Sequence, residues 1–288
     1  MERFRRSWRL AQASWAVLRA DRELLLFPLM SFIALVAIVI TFAVPIGLTV
    51  GLSDRQFDEN SAVGIVLGFA FYVVAYTVMF FFNTALVGAA MIRLEGGDPT
   101  VSDGLRIASS RLPAIVGYAV IAATVGMILR AIAERTGFIG AIIIGFIGLA
   151  WSVLTFLVVP VLVVEKVGPV GAVKRSGALL RKTWGEQIIG GGGIGVVFTL
   201  IALVAIIAGT ALAVAFSTFS WQLAVLAVIA TVLAVGGITL VGAALGGIYT
   251  ASLYRYATTG DAGAFGTDVM AAAFKAKKAG ALAGLLGG

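Results

Sequence analysis

RFRRSWRLAQASWAVLRADRELLLFPLMSFIALVAIVITFAVPIGLTVGL, residues 3–52, joins a cationic, Trp-bearing segment to a long apolar run. Phe4, Trp8, Ala11, Trp15 and Leu18 recur at a 4-3-4-3 spacing, which places them within ~80° on one face of a helix. Arg5, Arg6, Arg9, Gln12 and Arg19 fall on the other side. Aromatic residues beneath and arginines above are the pattern of a helix lying in the headgroup plane. Asp21, Arg22 and Glu23 close this polar section, and no charge follows between Leu24 and Leu52. Pro28 sits where a helix start tolerates it.

The rest of the chain obeys the same logic. Of 288 residues, 60% are hydrophobic and 12% charged, with a mean hydropathy of +1.07. A soluble domain carries about 25% charged residues, so half of the polar surface it would need is missing. A hydrocarbon core ~30 Å thick is crossed by about 20 apolar helical residues. Six runs qualify: 27–52, 62–92, 114–133, 138–164, 188–216 and 222–253. They lack the alternation of barrel strands, which leaves helices as the spanning form. The expected fold is all-α: a polytopic membrane helical bundle with six transmembrane helices and cytoplasmic interfacial amphipathic helices. Residues 1–26 are the first surface helix, 27–254 the six-span domain, and 255–288 a C-terminal helix (about 268–279) with a loose tail. The polar start is too long for a cleavable signal, so the first run is expected to remain as a span.

Eighteen of the 21 Lys and Arg lie before span 1, between spans 2 and 3, between spans 4 and 5, or after span 6. By the positive-inside rule this predicts both termini in the cytoplasm of a cell membrane. The net charge of +7 therefore belongs to a membrane surface and not to a nucleic acid. Val101, Leu105, Ala108 and Leu112 repeat the spacing of Phe4, Trp8, Ala11 and Trp15, and so do Val173, Gly177, Leu180 and Trp184. Each amphipathic piece precedes a pair of spans. Three parallel units are expected, each a surface helix plus a transmembrane hairpin. Phe4, Arg5, Trp8, Arg9, Trp15, Arg19, Lys174, Arg175, Arg181, Lys182 and Trp184 are the candidate membrane-surface contacts.

Two motifs carry a resemblance. Ala13-Ser14-Trp15, Leu18-Arg19, Asp21 and Glu23-Leu24-Leu25-Leu26-Phe27-Pro28 resemble the opening of an uncharacterised family of bacterial and archaeal six-span membrane proteins, a domain of unknown function. Pro160, Glu165, Gly168-Pro169, Ala172, Lys174-Arg175-Ser176 and Trp184 are similar to a wider group of membrane domains, including those fused to some glycerophosphodiester phosphodiesterases. Gly97-Asp98-Pro99, Arg106 and Pro113 fit the same pattern. The resemblance implies topology. It transfers no phosphodiesterase chemistry, because the catalytic barrel of those enzymes is absent from this sequence.

The chain has no Cys and no His, which removes thiolate nucleophiles, imidazole bases and the usual zinc and haem ligands. Ionisable groups at mid-membrane are the strongest functional clue in such a protein, and no carboxylate lies near a span centre. Arg130, one turn from the end of span 3, can snorkel outward. The polar candidates within spans are Asn83 with Tyr72 and Tyr76 on one stripe, and Trp151 near the middle of span 4; they serve as interhelical hydrogen-bonding groups or line a pocket. Gly190–Gly195 lacks the Lys-Ser/Thr of a phosphate loop and suits close helix contact or a local unwinding at the start of span 5, while Gly64-x3-Gly68 and Gly242-x3-Gly246 suit close helix contact. Pro45 and Pro160 can kink spans 1 and 4. No catalytic, cofactor-binding or metal-binding residues are assigned; Glu165 with Lys166 is the least poor acid–base pair. The reading is a non-enzymatic membrane protein whose cytoplasmic helices engage membrane lipid, anionic in headgroup, or a partner membrane protein. The alternative is a small transporter or channel for a hydrophobic or amphipathic solute.

Overall fold

The computed structural model describes residues 12, 14–53, 61–184 and 194–260, and every regular element among them is helical. Helical residues 14–20 form α1, followed by a 3-10 turn Arg22–Leu25 and α2 Leu26–Ser53. Then come α3 Ala62–Leu94, α4 Val101–Ser110, α5 Leu112–Arg135, α6 Phe138–Leu154, α7 Val158–Val164, α8 Pro169–Trp184, α9 Ile194–Ser217 and α10 Trp221–Thr259. Six helical segments are long and apolar enough to cross a membrane: Arg22–Gly47, Ala62–Leu94, Leu112–Arg135, Phe138–Val164, Val197–Ser217 and Trp221–Thr259. This is the multi-pass bundle that the apolar runs predict. The predicted helix at 268–279 and most of Gly190–Gly195 lie outside the described residues.

Local signals place the ends. Ser61 caps α3 by accepting the Gly64 N–H at 3.0 Å. Thr100 and Asp103 form a reciprocal capping box that opens α4. Arg111 alone separates α4 from α5, whose first turn holds Pro113, where a missing N–H costs nothing. Gly260 ends α10 in the left-handed conformation at φ 74°.

The buried core gathers at the cation-rich end of the spans. It is built from Thr84–Ala90 of α3, Val158–Leu162 of α7 and Ala244–Tyr254 of α10, three segments in mutual contact. These are the last parts of the even-numbered spans, so three hairpins meet through one end. Away from it the helices present Phe32, Ile33, Val36, Ile40, Phe146, Ile147, Val204 and Leu233 outward. That surface is soluble only in hydrocarbon.

The two prolines behave differently. α2 runs unbroken through Pro45. Span 4 breaks at residues 155–157, and α7 restarts with Pro160 in its first turn. Pro160 cannot donate to the Phe156 carbonyl, and a neighbouring helix supplies what the break leaves unpaired.

Candidate functional site

The amphipathic helices turn their apolar faces into their own bundle. Ser14, Val17 and Leu18 of α1 are buried; so are Gly104 and Ala108 of α4, and Ala172, Ser176, Leu179 and Leu180 of α8. The covered stripe follows a small residue at i, with apolar residues at i+3 and i+4 in α1 and α8. On α1 this is about one residue's rotation from the predicted stripe, and Trp15, predicted at its centre, stands 48% exposed. On α4 and α8 the docking is close: a Cβ on Gly104 would lie 2.5 Å from the Phe27 ring and 2.7 Å from the Ala85 carbonyl oxygen. One on Gly177 would lie 2.6 Å from Leu154.

Ser176 sits in the break of span 4. Fully buried, its Oγ accepts the Leu157 N–H at 3.1 Å and donates to the Leu154 carbonyl at 2.6 Å. Next to it, the Arg175 Nε donates to both Glu165 oxygens at 2.8 and 2.9 Å, and the Tyr254 hydroxyl donates to Glu165 at 3.1 Å. The bonded Glu165 carboxylate pushes the Arg175 guanidinium further up from its ordinary value. Glu165 is thus engaged by Arg175 and Tyr254 and not by Lys166, which occupies a left-handed backbone position at φ 53°. Ser176 and Tyr254 were not among the predicted site residues. The buried stripe Ala172, Ser176, Leu179, Leu180 is an i, i+4, i+7, i+8 pattern, the signal that places Ser176 inward.

The other connections at this end are tied in similarly. Arg93 donates to Asp98 at 3.1 Å and to the Gly97 carbonyl at 3.2 Å, and Arg255 donates to the Leu94 carbonyl. The Val101 N–H donates to Glu23 at 3.2 Å. Hydrogen bonds from Thr100 hold the Asp103 carboxyl below its ordinary value, with Arg106 assisting. Burial raises that of Asp21, against the pull of Arg93. Arg19, Arg22, Lys166, Lys174 and Arg181 remain exposed and make no ion pair among the described residues.

Of the predicted surface contacts, Phe4, Arg5, Trp8 and Arg9 lie outside the described residues. Lys182 and Trp184 are in the last turn of α8. Arg19, Lys174, Arg175 and Arg181 are exposed at the cation-rich end.

The predicted intramembrane group separates. Tyr72 and Tyr76 belong to a run of rings, Phe42–Phe71–Tyr72–Tyr76–Phe80–Tyr118, with successive centroids 4.5–6.0 Å apart. Asn83 stands exposed beside Gly247 of α10, and Trp151 is half-buried on α6 outside the run. Among the predicted glycine contacts, Gly242 meets Phe198, whereas Gly68 and Gly246 face open space; Gly247, which was not predicted, meets Leu86.

At the opposite end from the core, α2, α3 and α5 part to leave a cleft of about 560 Å³. Phe42, Ile46, Gly68, Phe71 and Met127 contribute apolar wall, and Tyr72, Arg130, Glu134 and Arg135 the polar part. The Arg130 Nε donates to Glu134 at 2.6 Å and its guanidinium to the Tyr72 hydroxyl at 3.4 Å. Arg130 therefore turns toward α3 and lines the cleft.

A family model described as "Family of unknown function (DUF6159)" matches residues 62–265. No curated protein and no solved structure matches the chain.

Proposed function

We propose that this chain, which belongs to the family of unknown function DUF6159, is a non-enzymatic multi-pass membrane protein that gathers anionic lipid around its cation-rich end. The observation that carries the reading is the docking of α8 by its apolar face. With Ala172, Ser176, Leu179 and Leu180 buried, Lys174 and Arg181 point away from the bundle, and Arg19, Arg22 and Lys166 accompany them without ion-pair partners among the described residues. Each such cation near an anionic surface contributes ~1 kcal/mol. The positive-inside rule puts this end in the cytoplasm, against the cytoplasmic leaflet of the cell membrane. The partnering of Glu165 with Arg175 and Tyr254, and not with Lys166, supports the non-enzymatic reading.

Transport of an amphipathic solute fits less well. The fully buried Ala85, Val158 and Ile248 pack across the cation-rich end, which weighs against a continuous pathway. The deciding measurement is the association of spin-labelled anionic and zwitterionic lipids with the full chain in bilayers. A preference for the anionic lipid that shrinks with salt, and shrinks several-fold in Lys174→Gln/Arg181→Gln, is expected. Equal association of both lipids at low and high salt would overturn the reading, and co-purification of a stoichiometric protein in place of lipid would favour a partner complex.

A further inference from the structure

We propose that α6 is a short tie, freed from α7 by the break in span 4, that joins α8 to the opposite membrane surface, so that bilayer thickness regulates how closely the α8 cations meet lipid headgroups. The tie stands on length and packing; its consequence rests on the reading of α8 as a lipid-gathering helix.

Three observations carry this. The first is where α6 ends. Exposed Glu134 and Arg135 close α5 just before it, which places Phe138 near one membrane surface. At the other end Leu154 is held by α8: its carbonyl accepts from the Ser176 hydroxyl at 2.6 Å, and its side chain lies 2.6 Å from where a Gly177 Cβ would stand. Because α8 exposes Lys174 and Arg181, it stays at the opposite surface and keeps Leu154 there. The second is length. α6 has 17 residues, ~25 Å of helix to cross ~30 Å of hydrocarbon. Its antiparallel neighbour α5 is free of charge over residues 112–129, only ~27 Å. α2, α3, α9 and α10 hold 28, 33, 24 and 39 residues, ~36 Å or more each, and adjust by tilting. A span that is too short has no such freedom and loads its ends and the bilayer, at fractions of a kcal/mol per Å. The third is the path of that load. No residue of α6 is buried, and it packs chiefly on α5 and α8, whereas Val158–Leu162 of α7 are all buried. A continuous span 4 would rest α6 on that buried segment. With residues 155–157 interrupting the helix, tension on α6 passes to α8 through Ser176 and Gly177. A thicker bilayer therefore draws α8 toward the headgroups and brings Lys174 and Arg181 nearer the phosphates.

The test uses the full chain, whose lack of cysteine makes introduced labels unique. Ala178→Cys on the exposed side of α8 and Thr258→Cys at the exposed end of α10 take spin labels, and their distance is measured by electron–electron resonance in short-chain and long-chain phosphatidylcholine bilayers. A shift of at least about 1 Å between the two is expected, the scale of a helix displacement at a packed interface. Pro160→Ala, which lets α6 and α7 join and rests the load on the buried segment, should reduce the shift at least about twofold, and so should Ser176→Ala, which cuts the tie. A distance indifferent to chain length, or a shift that survives in either variant, overturns the proposal. These distances are read without anionic lipid, so they do not depend on the lipid-gathering reading. Repeated with spin-labelled anionic lipid, the long-chain bilayer should show a preference at least about twofold stronger than the short-chain one. A preference that is present but constant overturns the regulation, whereas its absence at both thicknesses, with the distance shift intact, refutes the lipid reading and leaves the tie standing.

Discussion

Ser176→Ala removes a single hydroxyl that serves two backbone groups in the interior. In the native bundle the Leu157 N–H gives its hydrogen bond to Ser176, and Ser176 gives its own to the Leu154 carbonyl. Alanine leaves both groups facing a site that is 0% exposed. A buried unpaired group costs about 1–3 kcal/mol, which would suggest up to about 6 kcal/mol for the pair. Measured side-chain bonds inside membranes average only ~0.6 kcal/mol, because released groups find other partners. Here rearrangement is restricted by Pro160, which prevents the helix from closing across the break. We therefore expect a loss of about 1–3 kcal/mol. The assay is equilibrium unfolding in mixed detergent micelles, carried out in two backgrounds. Pro160→Ala restores an N–H that can bond to the Phe156 carbonyl, allowing α6 and α7 to fuse and pair Leu154 and Leu157 within the helix. Ser176→Ala should then cost at least about 0.5 kcal/mol less than in the native background, a coupling expected of residues sharing one network. A loss below about 0.5 kcal/mol in the native background, or the same loss in both, would refute the assignment of Ser176 as the group that supports the break.

Gly104→Leu should destabilise the chain by about 1–3 kcal/mol through overpacking, since even a Cβ meets Phe27 and the Ala85 carbonyl; limited proteolysis at the α3–α4 connection reports it, and native resistance would contradict the docking of α4. Thr100→Ala should cost about 1 kcal/mol as a lost N-cap, read by thermal unfolding in detergent. Because the folded Asp103 carboxyl lies below its ordinary 3.8, the capping box contributes fully above that pH, and its contribution is lost as pH falls through the lowered folded value. Thr100→Ala should flatten that acid limb, and an unchanged limb would assign it to another carboxylate.

How far the residues alone reach is clearest at span 4. Pro160 announces an irregularity in an apolar run, yet Pro45 announces the same for α2, which stays continuous. What separates them is Ser176, 19 residues from Leu157, and its inward stripe is readable only once α8 is known to dock and not to lie free. The predicted stripe used the largest side chains, Trp15 among them. The bundle covers a small residue together with its apolar neighbours on the helix, Ser14 with Val17 and Leu18 and Ser176 with Leu179 and Leu180, because a small residue lets helices approach closely in a membrane protein. Arg175 was legible as a cation and not as the partner of Glu165. Tyr72 and Tyr76 were legible as one face, but Asn83 on the same stripe meets a different neighbour, since α10 and not α5 passes beside it.

By itself the sequence determined that the chain crosses a membrane six times as helices with its cations gathered at one end. Run length, missing charge and the position of Lys and Arg are one-dimensional properties, and a bilayer reads them directly. Only the tertiary structure decided which face of each amphipathic helix is covered, which hydroxyl supports the broken span and where the cleft opens. Those depend on contacts such as Tyr254 with Glu165 and Arg130 with Tyr72, 89 and 58 residues apart, and no local periodicity specifies the distance between residues so far separated along the chain.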